Sequence, residues 1–181
     1  MPDRTPEEIQ IRRRALTVLR RVLTAALPQE GCALLLGETC AAAGASPSRS
    51  GSADNGRGSA ADAPWPAPGT AATALQIRLV WPCLNVWEPA AERSRRFRLD
   101  PREQLLAQRW ARGQGLQVLG AAHSHPCSDP VPSATDLALA FAPTLQLILS
   151  PLTDWMPACW WLEPNDEGSP TPRPLRWRMV D

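Results

Sequence analysis

A chain of 181 residues with 44% apolar and 20% charged side chains is long enough for one domain with a sizeable core and too apolar for a wholly disordered protein. Its net charge of +1 removes any global electrostatic case for nucleic acid or an anionic membrane as partner. No apolar run approaches the roughly 18 residues that a membrane-spanning helix needs.

All 19 basic residues are arginine, tyrosine is absent and tryptophan appears eight times, a bias read as genomic base composition rather than function. The opening residues lack the order of charge, apolar block and small residues of a signal peptide, and Glu7 and Glu8 argue against a transit peptide. The five cysteines, Cys32, Cys40, Cys83, Cys127 and Cys159, are odd in number and form no C-x-x-C pair. That suits a reducing compartment, so a cytoplasmic location is expected.

Residues 6–27 read as a first helix. Thr5 suits the N-cap, Pro6 the first helical position, and Glu7 and Glu8 the positive end of the dipole. Leu16, Leu19, Leu23 and Leu27 recur at helical spacing, with arginines around the rest of the wheel. Such a face fits a core-packing helix with a solvated back better than a membrane-surface helix. Pro28 ends the helix, and 31–37 is too short and too apolar for anything but a buried strand. Glu30 stands at the entrance of that strand, where a single glutamate is by itself an ordinary loop carboxylate. Residues 41–74 are dominated by Ala, Gly, Ser and Pro and cannot bury enough surface to offset their ordering entropy. They read as a disordered insertion, with Trp65 part of a solvated linker.

An alternating strand over 75–81 follows, with further strand pieces near 85–88 and 97–99. Asp100 and Pro101 are the cap and first residue of a helix reaching about Arg112. Gly113 and Gly115 end it, and the missing third glycine excludes a phosphate-binding G-x-G-x-x-G. Residues 118–122 read as a buried strand. A helix over 134–141 closed by Pro143, strands over 145–149 and 158–162, a loop over 164–174 and a last edge strand over 175–180 complete the chain. The fold class is α/β of the α+β type: a single domain over 1–181, a strand-rich sheet flanked by two or three helices.

The chemistry gathers at the end of the 118–122 strand. Side chains on a strand repeat every two residues, so His123 and His125 leave the same face. Ser133 follows eight residues later and Asp136 three after that, at the start of a short helix. Two imidazoles and a carboxylate are the ligand set of a catalytic zinc that keeps a fourth position for water. Ser133 to Asp136 is also the S-x-x-D pattern of a helix cap, and the cap and ligand roles can coexist. Isolated histidines are ordinarily packing residues, but both histidines of this chain fall within the motif.

This stretch resembles the JAMM motif of the MPN-domain metalloproteases, H-x-H-x7-S-x2-D, and matches every specified position. The upstream segment P-Q-E-G-C-A-L-L-L-G resembles the family's glutamate segment, with Glu30 in the glutamate's place. L-V-W-P-C-L-N, ending at Asn85, and R-F-R-L-D-P, ending at Pro101, resemble its strand, asparagine and r-f-x-x-d-p run. The resemblance runs from about Arg13 to Glu163 with one inserted segment. It implies the MPN fold, a curved mixed β-sheet with helices packed on it. It also implies one Zn2+ per chain held by His123, His125 and Asp136, with Glu30 as general base and Ser133 donating a hydrogen bond to the oxyanion. The implied reaction is hydrolysis after the C-terminal Gly-Gly of ubiquitin or a ubiquitin-like protein.

Eukaryotic deubiquitinating members carry a second zinc site beyond the motif. Here no histidine follows Asp136 and Cys159 stands alone, so the compact form resembles prokaryotic members that process ubiquitin-like sulfur-carrier proteins. A Gly-Gly tail would enter as an extended strand beside a sheet edge. Cys127 departs from the pattern: a thiolate there either reaches the zinc and blocks the water position, as a regulatory off state, or is a loop cysteine without a role. Two other functions fit parts of the sequence. One is an MPN-type scaffold that binds a protein without catalysis. The other is a metal phosphoesterase, for which two histidines are too few. No nucleic acid or membrane partner is expected, and the oligomeric state is open.

Overall fold

A computed structural model describes residues 5–42, 73–166 and 168–181. The elements in chain order are β1 (Glu8–Arg12), α1 (Arg13–Ala25), β2 (Cys32–Ala41), β3 (Thr73–Cys83), α2 (Pro101–Gly113), β4 (Gln117–Ser124), α3 (Ala134–Leu139), β5 (Thr144–Leu149), β6 (Ala158–Glu163) and β7 (Thr171–Val180). The seven strands form a mixed sheet in the order β1-β3-β2-β4-β5-β6-β7, closed into a barrel by β1 pairing with β7. The expected curved mixed sheet flanked by helices is present, and it closes on itself. The expected disordered insertion, residues 41–74, lies outside the described residues except at its two ends, where Ala41 pairs with Thr73. No helix among the described residues is long and apolar enough to cross a membrane.

The first helix is shorter than its sequence pattern predicts, because residues 8–12 are a strand. Ile9, Gln10 and Ile11 are all buried, as in a strand covered on both faces rather than a helix with one apolar side. β1 runs parallel to both β3 and β7, so its backbone finds ladder partners on each side. α1 then buries Ala15, Leu16, Leu19 and Leu23 in the same core cluster as Leu35, Leu75, Ile77 and Leu147, with Arg13, Arg14 and Arg21 in solvent. The core-packing reading holds for Leu16, Leu19 and Leu23, whereas Leu27 lies past the helix end at Ala25 and is exposed.

Three other expectations change. The strand pieces near 85–88 and 97–99 reduce to one isolated bridge between Asn85 and Leu99, because a turn at Ala90–Glu92 separates them. The helix over 134–141 stops at Leu139: Ala140 is extended and Phe141 stands in solvent, two residues before Pro143. The last strand is not an edge, since residues 176–180 pair with β1, and it begins inside the expected loop, at Thr171. Pro172 and Pro174 are tolerated there because β7 is paired only with β6 over 171–175.

The topology fixes what surrounds the histidine pair. β4 is central, antiparallel to β2 and parallel to β5, and Cys32 is in register with His123. Gly31 is tied to Ser124 twice: its N–H donates to Ser124 Oγ at 2.9 Å, and its carbonyl accepts from Ser124 N at 3.0 Å. Glu30 is thereby held beside the end of β4.

Candidate metal centre

His123 is the penultimate residue of β4 and His125 lies one residue past its end. Their Nε2 atoms are 3.0 Å apart. Asp136, in the first turn of α3, places Oδ1 3.5 Å from His123 Nε2 and Oδ2 3.5 Å from His125 Nε2. All three residues are buried. Tetrahedral zinc with ligand bonds of ~2.0–2.1 Å separates its donor atoms by about 3.3 Å. Each histidine faces a different oxygen of Asp136, and with one ligand atom from each residue the three donors lie within 4.8 Å of one another, so the set fits a zinc ion in chemistry and gathers around one point.

The surroundings prepare each ligand. His125 Nδ1 lies 2.7 Å from the Asp129 carbonyl, which can only accept, so the ring proton sits on Nδ1 and the Nε2 lone pair faces the cluster. His123 Nδ1 is buried and finds no partner among the described residues; its ring is held by Phe97, stacked at 4.3 Å between centroids. Burial pulls the His123 imidazole below its ordinary pKa, against the pull of Asp136, and keeps it neutral. Burial acts the same way on His125, but in its doubly protonated form Nε2 can donate to Asp136 and Nδ1 to the Asp129 carbonyl, and these bonds, with the charges of Glu30 and Asp136, outweigh burial and raise the value. Burial alone would raise Asp136; the two imidazoles facing it at 3.5 Å, which favour the charged carboxylate, and the hydrogen bond from Ser133 overcome burial and hold the carboxyl below the usual range. A neutral histidine and an ionised carboxylate are the states that bind a metal.

Ser133 caps α3 in a reciprocal box: its Oγ accepts from Asp136 N at 3.2 Å, and its own N–H donates to Asp136 Oδ2 at 2.7 Å. The cap therefore orients the ligand. The loop between His125 and Ser133 is fixed from outside, with Ser150 Oγ donating to the Ser128 carbonyl at 2.8 Å and Trp160 Nε1 to the Pro130 carbonyl at 3.0 Å.

Glu30 is 5% exposed, and its pKa is pushed up to about 7. Burial is the main cause; attraction to His125 works against it and repulsion from Asp136 works with it. Both charges act on Glu30, so it belongs to the same electrostatic site as the ligands. A cavity of about 310 Å³, walled also by Val22, Ala26, Cys32, Cys83 and Asn85, opens beside it.

A sequence model of the family described as prokaryotic homologs of the JAB domain matches residues 12–163. The chain belongs to that family. The JAMM/MPN resemblance carried by the histidine motif is thereby borne out. Among curated proteins the chain is similar to desampylase of Haloferax volcanii, 39% identical over 95 residues, which are 52% of this chain and 68% of that protein. Among solved structures it is similar to the solution structure of a Desulfitobacterium hafniense protein, with TM-score 0.63 at 25% identity, covering 96% of this chain and 93% of the other. A Salinibacter ruber protein follows with TM-score 0.53 at 25% identity, covering 93% and 91%.

Within this JAB domain the structure brings His123, His125 and Asp136 into one cluster, with Ser133 bonded to Asp136 and Glu30 in electrostatic reach. Cys127 is exposed and is not one of the clustered donors. Sequence reasoning assigned no role to three contributors. Phe97 and Asn85 both lie in the stretches that resemble the family's middle run, and that is the signal that marked them. The Asp129 carbonyl left no signal, because every residue type carries one.

Proposed function

We propose that this chain acts, as one domain, as a zinc-dependent isopeptidase that hydrolyses the bond after the C-terminal Gly-Gly of a ubiquitin-like protein of the sulfur-carrier type. The observation that carries the reading is the convergence of two imidazoles and a carboxylate, their donor atoms within 4.8 Å of one another, beside a buried glutamate poised near pH 7. Membership of the JAB family and the similarity to desampylase support a ubiquitin-like modifier as substrate. A reducing, cytoplasmic location fits five free cysteines.

His123, His125 and Asp136 would hold the ion. When bound, a zinc lowers the pKa of its water to about 7 and polarises the scissile carbonyl. Glu30, with a pKa of about 7, is matched to accepting the water's proton and returning it to the leaving amine. The Ser133 oxygen accepts from Asp136 N, which leaves its hydroxyl hydrogen for the developing oxyanion. The Asp129 carbonyl keeps His125 in the tautomer with its lone pair on Nε2. The substrate tail has an edge to lie against. β1 covers only residues 74–77 of β3, so the outer side of 78–83, leading toward Cys32 and Glu30, has no strand beside it among the described residues.

The deciding experiment is metal content and turnover of untagged protein, wild type beside Asp136→Asn and Glu30→Gln. About one zinc per chain, absent in Asp136→Asn, with Gly-Gly-linked substrate cleaved by wild type and spared by Glu30→Gln, is the expected result. A protein that neither holds nor takes up metal sinks the hydrolase and leaves a fold used for binding.

A further inference from the structure

Asn85 lies just beyond β3, outside every helix and strand, yet its side-chain amide reaches five backbone groups, two of its three donor contacts sharing one N–H. Nδ2 donates to the carbonyls of Arg96 at 2.8 Å and Glu30 at 3.1 Å and, at the limit of reach, of Arg93 at 3.4 Å. Oδ1 accepts from Trp87 N at 3.0 Å and Arg98 N at 3.2 Å. Only a side-chain amide offers two donors and an acceptor on so short a stem.

Glu30 needs such a support. Among the described residues no side chain bonds its carboxyl, so backbone and packing alone decide where it sits. Its N–H donates to the Arg93 carbonyl at 2.7 Å, and its carbonyl accepts from Asn85. Both backbone groups of Glu30 therefore end on the 85–98 segment that Asn85 organises. On its other side, Gly31 is bonded to Ser124, the residue between the two histidines. The same amide pins the chain on either side of Phe97, through the Arg96 carbonyl and the Arg98 N–H, and Phe97 stacks on His123.

We infer that Asn85 is a positioning residue that fixes Glu30, through its backbone, against the histidine pair, and sets Phe97 over His123 from the same amide. The inference rests on the reading of Glu30 as the general base. Proton transfer demands a heavy-atom approach of ~2.6–3.2 Å, so a base adrift by about 1 Å loses its advantage.

The test compares wild type, Asn85→Ala, Asn85→Asp, Glu30→Gln and the double variant Asn85→Ala/Glu30→Gln. Asn85→Ala is expected to lower kcat by about a hundredfold with KM unchanged. It should add nothing to the loss already present in Glu30→Gln, because the two act through one group. Asn85→Asp keeps the acceptor bonds to Trp87 and Arg98, and so one of the two pins beside Phe97, but can no longer donate to the carbonyls of Glu30, Arg93 and Arg96. It should share the kcat loss while taking up zinc as wild type does. Wild-type kcat in Asn85→Ala, a rise in KM instead, or additive losses in the double variant overturns the inference. Amide hydrogen exchange over residues 28–32 of metal-free protein reads the clamp without turnover: faster exchange at the Glu30 N–H in Asn85→Ala supports it, and unchanged exchange overturns it. A wild type that cleaves nothing counts against the isopeptidase instead, and the exchange result still decides the role of Asn85.

Discussion

Phe97 lies almost flat on the imidazole of His123, with ring centroids 4.3 Å apart and 20° between the planes. A metal-ligating histidine is ordinarily oriented by an oxygen at its second nitrogen, as His125 is by the Asp129 carbonyl. His123 is fully buried and among the described residues nothing bonds its Nδ1, so Phe97 supplies by packing what an acceptor supplies elsewhere. Phe97→Ala should weaken zinc binding by about tenfold or more, read by competition with a chelator. Wild-type affinity in that variant would show the stacking to be incidental.

Glu30 carries a pKa raised from 4.5 to about 7, mainly by burial. The folded state then holds this proton more tightly than the unfolded chain, so ionisation costs stability. The contribution is present below about 4.5 and is lost as pH rises through about 7, by on the order of 3 kcal/mol. Urea unfolding of metal-free protein at about pH 5 and about pH 8 should show this slope, reduced in Glu30→Gln. Turnover has the opposite sign, because the base works ionised. It should rise with pH along a limb at about 7, or lower once a bound cation favours the carboxylate.

Ser133 has two roles that one substitution separates. Ser133→Ala removes the cap of a six-residue helix, at about 1 kcal/mol, but keeps the backbone N–H that bonds Asp136. It also removes the hydroxyl assigned to the oxyanion, at about a hundred- to thousandfold in kcat. The expected outcome is zinc content near wild type with kcat sharply reduced. A rate that falls only in step with zinc content would leave Ser133 as a cap.

Cys127 is exposed, and the loop that carries it is bonded to Ser150 and Trp160. If its thiol closes the water position, as a regulatory role demands, Cys127→Ser raises basal turnover. Equal turnover and equal spectra of cobalt-substituted protein remove that role.

Gly120 sits three residues before His123, in register with Leu145 of β5, and a Cβ there would collide with the Leu145 carbonyl. Gly120→Ala should lower stability by more than about 3 kcal/mol, or prevent folding, and zinc binding should go with it. Gly113→Ala, at a position with open space, should change stability by less than about 0.5 kcal/mol. Thermal melts of the two variants make the comparison.

The features legible in the residues themselves were those that neighbours along the chain decide. The spacing of His123 and His125 put both rings on one face because strand geometry repeats every two residues. The Ser133–Asp136 pattern marked a cap because capping needs a side chain three residues from its partner, and Asp100-Pro101 opened α2 for the same local reasons. Glu30 was different: nothing near it distinguished it from a surface carboxylate, and resemblance alone singled it out.

Tertiary structure decided the rest. Residues 8–12 follow a helix-start pattern in sequence, and become a strand because β3 and β7, distant in the chain, offer them two ladders. The apparent edge at 175–180 disappears by the same closure. The raised pKa of Glu30 needs burial, the Asn85 amide reaches it from 55 residues away, and Phe97 meets His123 only when the 85–98 segment folds over β4. Spacing along the chain determined which groups could bind a metal. Closure of the barrel determined which of them are dry, held and aimed, because burial and long-range contacts exist only once the ordering cost of the whole sheet has been met.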